Sequence, residues 1–118
     1  MIVRYYQTQR GTQPVRRDYL DKLDARKRAG VLAALAQVEA HGFDAAGVEF
    51  RQLIGKLWEI KIPPEHRVLY AMADGVTMVL LHAFKKQGQK APRGELDVAL
   101  DRMADVARRM GKRRRRFL

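Results

Sequence analysis

The amino-acid sequence predicts an α+β fold: a small, mostly antiparallel sheet with an α-helical pair on one face and a C-terminal helix, in the order β-α-α-β-β-β-α. Two observations carry this. Between Leu57 and Phe84, three strand-like runs follow one another with only short turns between them. Connections that tight make antiparallel neighbours. Residues 15–41 and 92–110 repeat apolar side chains at helical spacing.

The elements follow in order. Met1–Tyr6 is short and β-prone, with Val3, Tyr5 and Tyr6, and reads as a first strand. Gln7–Gln13 is polar and contains a glycine, hence a loop. Pro14 suits the first turn of a helix, which Val15, Tyr19, Leu20 and Leu23 continue. A second helix runs from about Ala25 to His41, with Val31, Leu32, Leu35 and Val38 as its apolar stripe and Gly42 at its end. Phe43–Gly55 is a connection with room for a short strand around Glu49–Leu53. In Leu57–Ile62, Trp58, Ile60 and Ile62 point one way, Glu59 and Lys61 the other. Arg67–Ala73 and Val76–Phe84 are rich in Val, Leu, Tyr and Phe, and read as central strands covered on both faces. Pro63-Pro64-Glu65-His66 forms the first turn, and Asp74-Gly75 the second. Pro92 opens the last helix, with acid in its first half and Arg108 and Arg109 at its end, the favourable sense for the helix dipole. Residues 1–110 read as one domain and residues 111–118 as a basic tail.

The charge balance speaks of partners. A formal net charge of +11 points to nucleic acid, an anionic membrane surface or an acidic protein. No basic amphipathic helix with bulky aromatic anchors is evident and no apolar run nears the ~20 residues of a membrane span, so no membrane partner is expected. The N-terminal stretch lacks a signal-peptide core, and the expectation is a cytoplasmic protein. There are no cysteines, and His41, His66 and His82 lack metal-ligand spacing, so neither a metal nor a cofactor is expected.

Against this background the cations in the strands stand out, because a charge set into a sheet is costly unless paired or solvated. Lys61 and Arg67 flank one tight turn and so share one end of the hairpin. A two-residue turn at Asp74-Gly75 would put Arg67 opposite His82, with Lys85 and Lys86 emerging at the same end. Lys61, Arg67, His82, Lys85 and Lys86 are therefore the candidate catalytic residues. Glu59, Tyr70, Lys90 and Arg93 are the candidate RNA contacts. RNA cleavage without a metal needs a base for the 2′-hydroxyl, cations for the phosphorane and an acid for the leaving oxygen, and such side chains supply these. Each has a plainer reading: Arg67 and Lys61 as solvated charges, His82 and Tyr70 as core, Glu59 as the partner of a nearby cation, the lysines as a solvated loop.

The segments YYQTQRGTQPVRRDYLDKL, KLWEIKI, RVLYAM and VLLHAFKKQGQKAPRGELDVALDRMAD resemble the RelE/HigB-type toxins of bacterial type II toxin–antitoxin systems, in particular the phage-associated HigB-like branch. The resemblance runs from about residue 5 to residue 107 and is most specific where the LWE strand, the RVLY strand and LLHAFKKQGQKAP occur in order. It implies a RelE-like fold and an mRNA interferase, an endoribonuclease that cuts mRNA at the ribosomal A site. It also implies a cognate antitoxin, often of helix-turn-helix type. Lys61 then matches a base or charge stabiliser, Arg67 the contact to the scissile phosphate, and Lys85 and Lys86 a second cation. Glu59 stands where some relatives have lysine, and no tyrosine follows Lys90. The acid is thus left among His82, a lysine and a ribosomal group. The runner-up is a non-catalytic basic module that binds RNA or the antitoxin.

Overall fold

Apolar runs with strand-like composition build a five-stranded sheet in the computed structural model, which describes residues 1–117, with side chains as far as Gly111. The strands are β1 (Ile2–Tyr5), β2 (Glu49–Ile54), β3 (Leu57–Ile62), β4 (His66–Met72) and β5 (Thr77–Lys85), and the helices are α1 (Ala25–His41) and α2 (Arg93–Phe117). The strand order is β1-β5-β4-β3-β2. β2 to β5 form an antiparallel meander, whereas β1 runs parallel to β5 with Ile2 opposite Thr77. The fold is α+β, with a mixed sheet.

Three expectations change. The helix expected after Pro14 is a single π turn (Val15–Tyr19) followed by a 3-10 turn (Leu20–Lys22). It stops because Asp24 turns extended to cap α1, accepting the Lys27 N–H at 2.8 Å. Arg28 then satisfies the freed carbonyls, donating to Leu20 O and Leu23 O at 2.9 Å each. Second, the short strand near Glu49 is a full strand, so four strands follow α1 where three were expected. Third, β1 joins the sheet in parallel, so the sheet is mixed. The expected pairing on one face does form, since Val15 and Leu20 of the two turns pack beside α1. Val31, Leu35 and Val38 of α1 pack with Ile60, Val68, Tyr70 and Leu80 on one side of the sheet. Leu96, Ala99, Leu100 and Met103 of α2 pack with Leu57, Leu69, Val79 and Leu81 on the other.

α2 is tied down by polar contacts as well. Tyr6 donates its hydroxyl to Asp105 at 2.7 Å, and Arg102 Nη1 donates to Leu81 O at 2.9 Å. The Lys112–Arg116 run lies along the backbone of this helix, and its side chains fall outside the described residues. Among the described residues no helix is long and apolar enough to cross a membrane.

Burial makes a direct prediction. Leu69 and Leu81 are 0% exposed, whereas Leu32, in the predicted stripe of α1, is 43% exposed. Leu69→Ala or Leu81→Ala should cost about 2–5 kcal/mol in urea denaturation. Leu32→Ala should stay within about 0.5 kcal/mol of the parent; comparable losses at the three sites would contradict this core.

Candidate functional site

Strand alternation brings the charged residues together. On the α2 side of the sheet, the register sets Glu49, Lys61, Arg67 and Phe84 side by side across β2, β3, β4 and β5. The next row on that side is Arg51, Glu59, Leu69 and His82. Lys61 is directly opposite Arg67, and Arg51 directly opposite Glu59. β3 and β4 thus deliver two cations to one end of the sheet, next to a carboxylate.

The first row opens on solvent. Lys61 and Arg67 line a hollow of about 520 Å³ together with Gly47, Val48, Glu49, Pro63 and Pro64. Lys61 Nζ is 3.9 Å from the exposed carboxylate of Glu49. Arg67 has only 13% of its side chain exposed, and its Nη1 donates to His66 O at 3.0 Å. It also borders a narrower cleft, where Arg51, Glu59 and Phe84 meet the loop residues Lys86, Gln87 and Lys90. Two guanidinium groups, Arg51 and Arg67, the strand lysine Lys61 and the two loop lysines Lys86 and Lys90 surround these hollows, which is chemistry for a phosphate backbone. Among the described residues no cluster of three His, Asp or Glu is placed to hold a metal ion.

The remaining candidates divide. Lys85 and Lys86 part company, as neighbours along an extended chain do. Lys86 faces the cleft beside Arg67, while Lys85 pairs with Glu65 at 3.3 Å. Lys85 sits across from His66, on the α1 side, and so leaves the expected set. His82 is opposite Leu69 and not Arg67. The turn is longer than two residues, since Ala73 N–H bonds Thr77 O and Asp74 Oδ1 accepts from Val76 and Thr77. A bulge beside Leu69 then slips the register again. His82 is engaged by α2: Nε2 lies 2.6 Å from Glu95 Oε2, and Arg102 Nη1 donates to Nδ1 at 3.3 Å.

Tyr70 is 1% exposed on the α1 side, among Phe43 and Phe50, and burial pushes its hydroxyl up to about 12. It is a core residue and no RNA contact. Glu59 is also 1% exposed, out of reach of any strand of RNA. Arg93 is exposed at the start of α2.

Residues 18–104 match the family described as phage-derived Gp49-like proteins (DUF891). The chain belongs to this Gp49-like family. It is a toxin–antitoxin-associated family, and membership implies an antitoxin partner. No curated protein matches the chain.

In this Gp49-like chain, sequence reasoning passed over Arg51 and the wall at Gly47 and Val48. The signal was available: Glu49, Arg51 and Leu53 alternate, and pairing that strand to Leu57–Ile62 across Ile54-Gly55-Lys56 puts Arg51 against Glu59.

Behind the site, on the α1 side, His66 is 3% exposed and its Nδ1 meets the Tyr19 hydroxyl. Burial pushes His66 below its ordinary pKa, and burial together with Glu65 pushes Tyr19 up to about 12. The hydroxyl therefore donates and the neutral ring accepts. Because the folded pKa of His66 lies below the unfolded value of about 6.5, the unfolded chain takes up the proton first. Stability is thus full above about pH 6.5, falls as pH drops below it, and levels off under the folded pKa. Urea midpoints from pH 5 to 8 should show this fall in the parent and a flatter profile in His66→Gln; parallel profiles would contradict it.

Proposed function

We propose that this Gp49-like protein is the toxin of a type II toxin–antitoxin system and a ribosome-dependent mRNA endonuclease of the RelE/HigB type. The observation that carries the reading is the Lys61–Arg67 pair, set across from each other at the edge of an open hollow. Arg67 would hold the phosphate to be broken. Lys61 would stabilise the charge that builds on its oxygens or, when neutral, take the proton of the 2′-hydroxyl. The 2′-oxygen then attacks phosphorus, the bond to the 5′-oxygen breaks, and that oxygen takes up a proton, leaving a 2′,3′-cyclic phosphate on the upstream piece. Lys86 and Lys90 extend the cationic surface, and Arg93 continues it along α2. Binding of this kind is sensitive to salt. With few acid–base groups at hand, the enzyme would rely on the ribosome to align the substrate. Its site of action would be the cytoplasm, and its partner an antitoxin, of helix-turn-helix type in the closest reading of the resemblance.

A non-catalytic basic module that binds RNA or its antitoxin is the second reading. The contacts of His82 with Glu95 and Arg102 and the burial of Tyr70 favour it, because they withdraw one candidate acid and one candidate RNA contact from the hollow.

Expression of the parent, Arg67→Ala and Lys61→Ala, with mapping of mRNA 5′ ends on translating ribosomes, separates the two. The expected result is growth arrest and codon-positioned cuts for the parent. Arg67→Ala should lose about 100-fold or more in cleavage rate, and Lys61→Ala about 100-fold. A parent that neither arrests growth nor cuts mRNA would leave the binding module as the better reading.

A further inference from the structure

A carboxylate buried beside two arginines is the feature that the proposed chemistry does not use. Glu59 Oε1 lies 3.3 Å from Arg51 Nη2 and 3.7 Å from Arg67 Nε. The Glu59 side chain is 1% exposed, that of Arg67 13% and that of Arg51 41%. Both guanidinium groups converge on the same oxygen, one from the strand on each side of β3. Oε1 and Arg51 Nε are buried without a hydrogen-bond partner among the described residues. The cluster is therefore held by charge at ion-pair distance more than by directed hydrogen bonds.

We infer that Glu59 is a positioning residue, which seats Arg67 and Arg51 as a pair of guanidinium groups facing the phosphates of a bound RNA strand. The inference rests on the reading of Arg67 as a phosphate contact. Three physical points support it. A carboxylate this deeply buried touches neither ribose nor phosphate. A buried charge persists only when paired, and fixing geometry is the better-attested use of such a pair. Arg67 is already tied at Nη1 to His66 O, so a charge beside Nε fixes the plane of the guanidinium and leaves its remaining donors toward the hollow. Arg51 becomes, by the same carboxylate, a second cation of the site on the far side of Glu59.

Glu59→Gln keeps the shape of the side chain and removes its charge, so it should release both arginines. The experiment is a double-mutant cycle read by the affinity of a single-stranded 2′-O-methyl oligonucleotide, which binds but offers no 2′-hydroxyl to react. In the parent, Arg67→Ala should weaken binding about tenfold; in the Glu59→Gln background the same change should cost less than about threefold. Equal losses in both backgrounds would show that Glu59 does not act through Arg67, and would overturn the inference.

A second measurement needs no variant. In the parent protein, hydrogen exchange at Arg67 Nε–H and Arg51 Nε–H should be slow against that of the exposed Arg26; exchange as fast as at Arg26 would overturn the seat. If Arg67→Ala leaves binding unchanged in the parent, the phosphate role under the proposed function fails, and the exchange rates alone decide whether the seat exists. Where cleavage is measurable, Glu59→Gln should lower the rate and keep the parent's pH profile. Loss of the acidic limb would make Glu59 a proton acceptor and contradict its positioning role.

Discussion

Like charges crowded onto one patch of sheet are the constraint from which the site follows. Lys61 and Arg67 face each other across β3 and β4, and Arg51 stands one row away on β2. Two unit charges about 4 Å apart interact by about 4 kcal/mol at an effective dielectric constant near 20. A domain has only about 5–15 kcal/mol of net stability, so unopposed cations here would be a serious burden. Glu59 between the arginines and Glu49 beside Lys61 offset part of that repulsion. The remaining positive charge is directed at solvent, where a phosphate backbone is the natural counterion.

The same face of the sheet serves two purposes along its length. At one end Leu57, Val79 and Leu81 are apolar and α2 lies over them. At the other end the rows turn charged, and the loop from Lys86 to Ala91 borders them in place of the helix. The contacts of Tyr6, Arg102 and Glu95 hold α2 over the apolar half. His82 belongs to that anchoring, at the junction of the two halves, with its ring stacked 6.0 Å from Phe84. The opposite face is a closed core under α1, which is why Tyr70 and His66, though they stand in the same strands as the site, have no access to it.

How much of this was legible in the sequence depended on whether the signal was local. The alternation of Trp58, Glu59, Ile60, Lys61 and Ile62 carries its own face assignment, and a tight turn fixes the Lys61–Arg67 pairing, so the heart of the site could be read directly. Parallel pairing of β1 with β5 could not, because nothing in six residues names a partner more than seventy positions away. The His82 pairing failed through two single-residue slips, a longer turn at Asp74 and a bulge beside Leu69, each of which leaves hydrophobic patterning almost unchanged. Lys85 was lost by the alternation that correctly placed Lys61. The π and 3-10 turns before α1 end where Asp24 caps the next helix and Arg28 reaches back to the freed carbonyls of Leu20 and Leu23, side-chain contacts that helical spacing does not encode.

The central claim is that one end of the sheet grips an RNA backbone through side chains that β3 and β4 set opposite each other. Backbone amide shifts on titration with a short single-stranded oligoribonucleotide test it directly. The expected perturbations cluster at Val48–Glu49, Lys61, Arg67 and Lys86–Lys90. Shifts confined to α1, or to the C-terminal arginines with these positions silent, would contradict it.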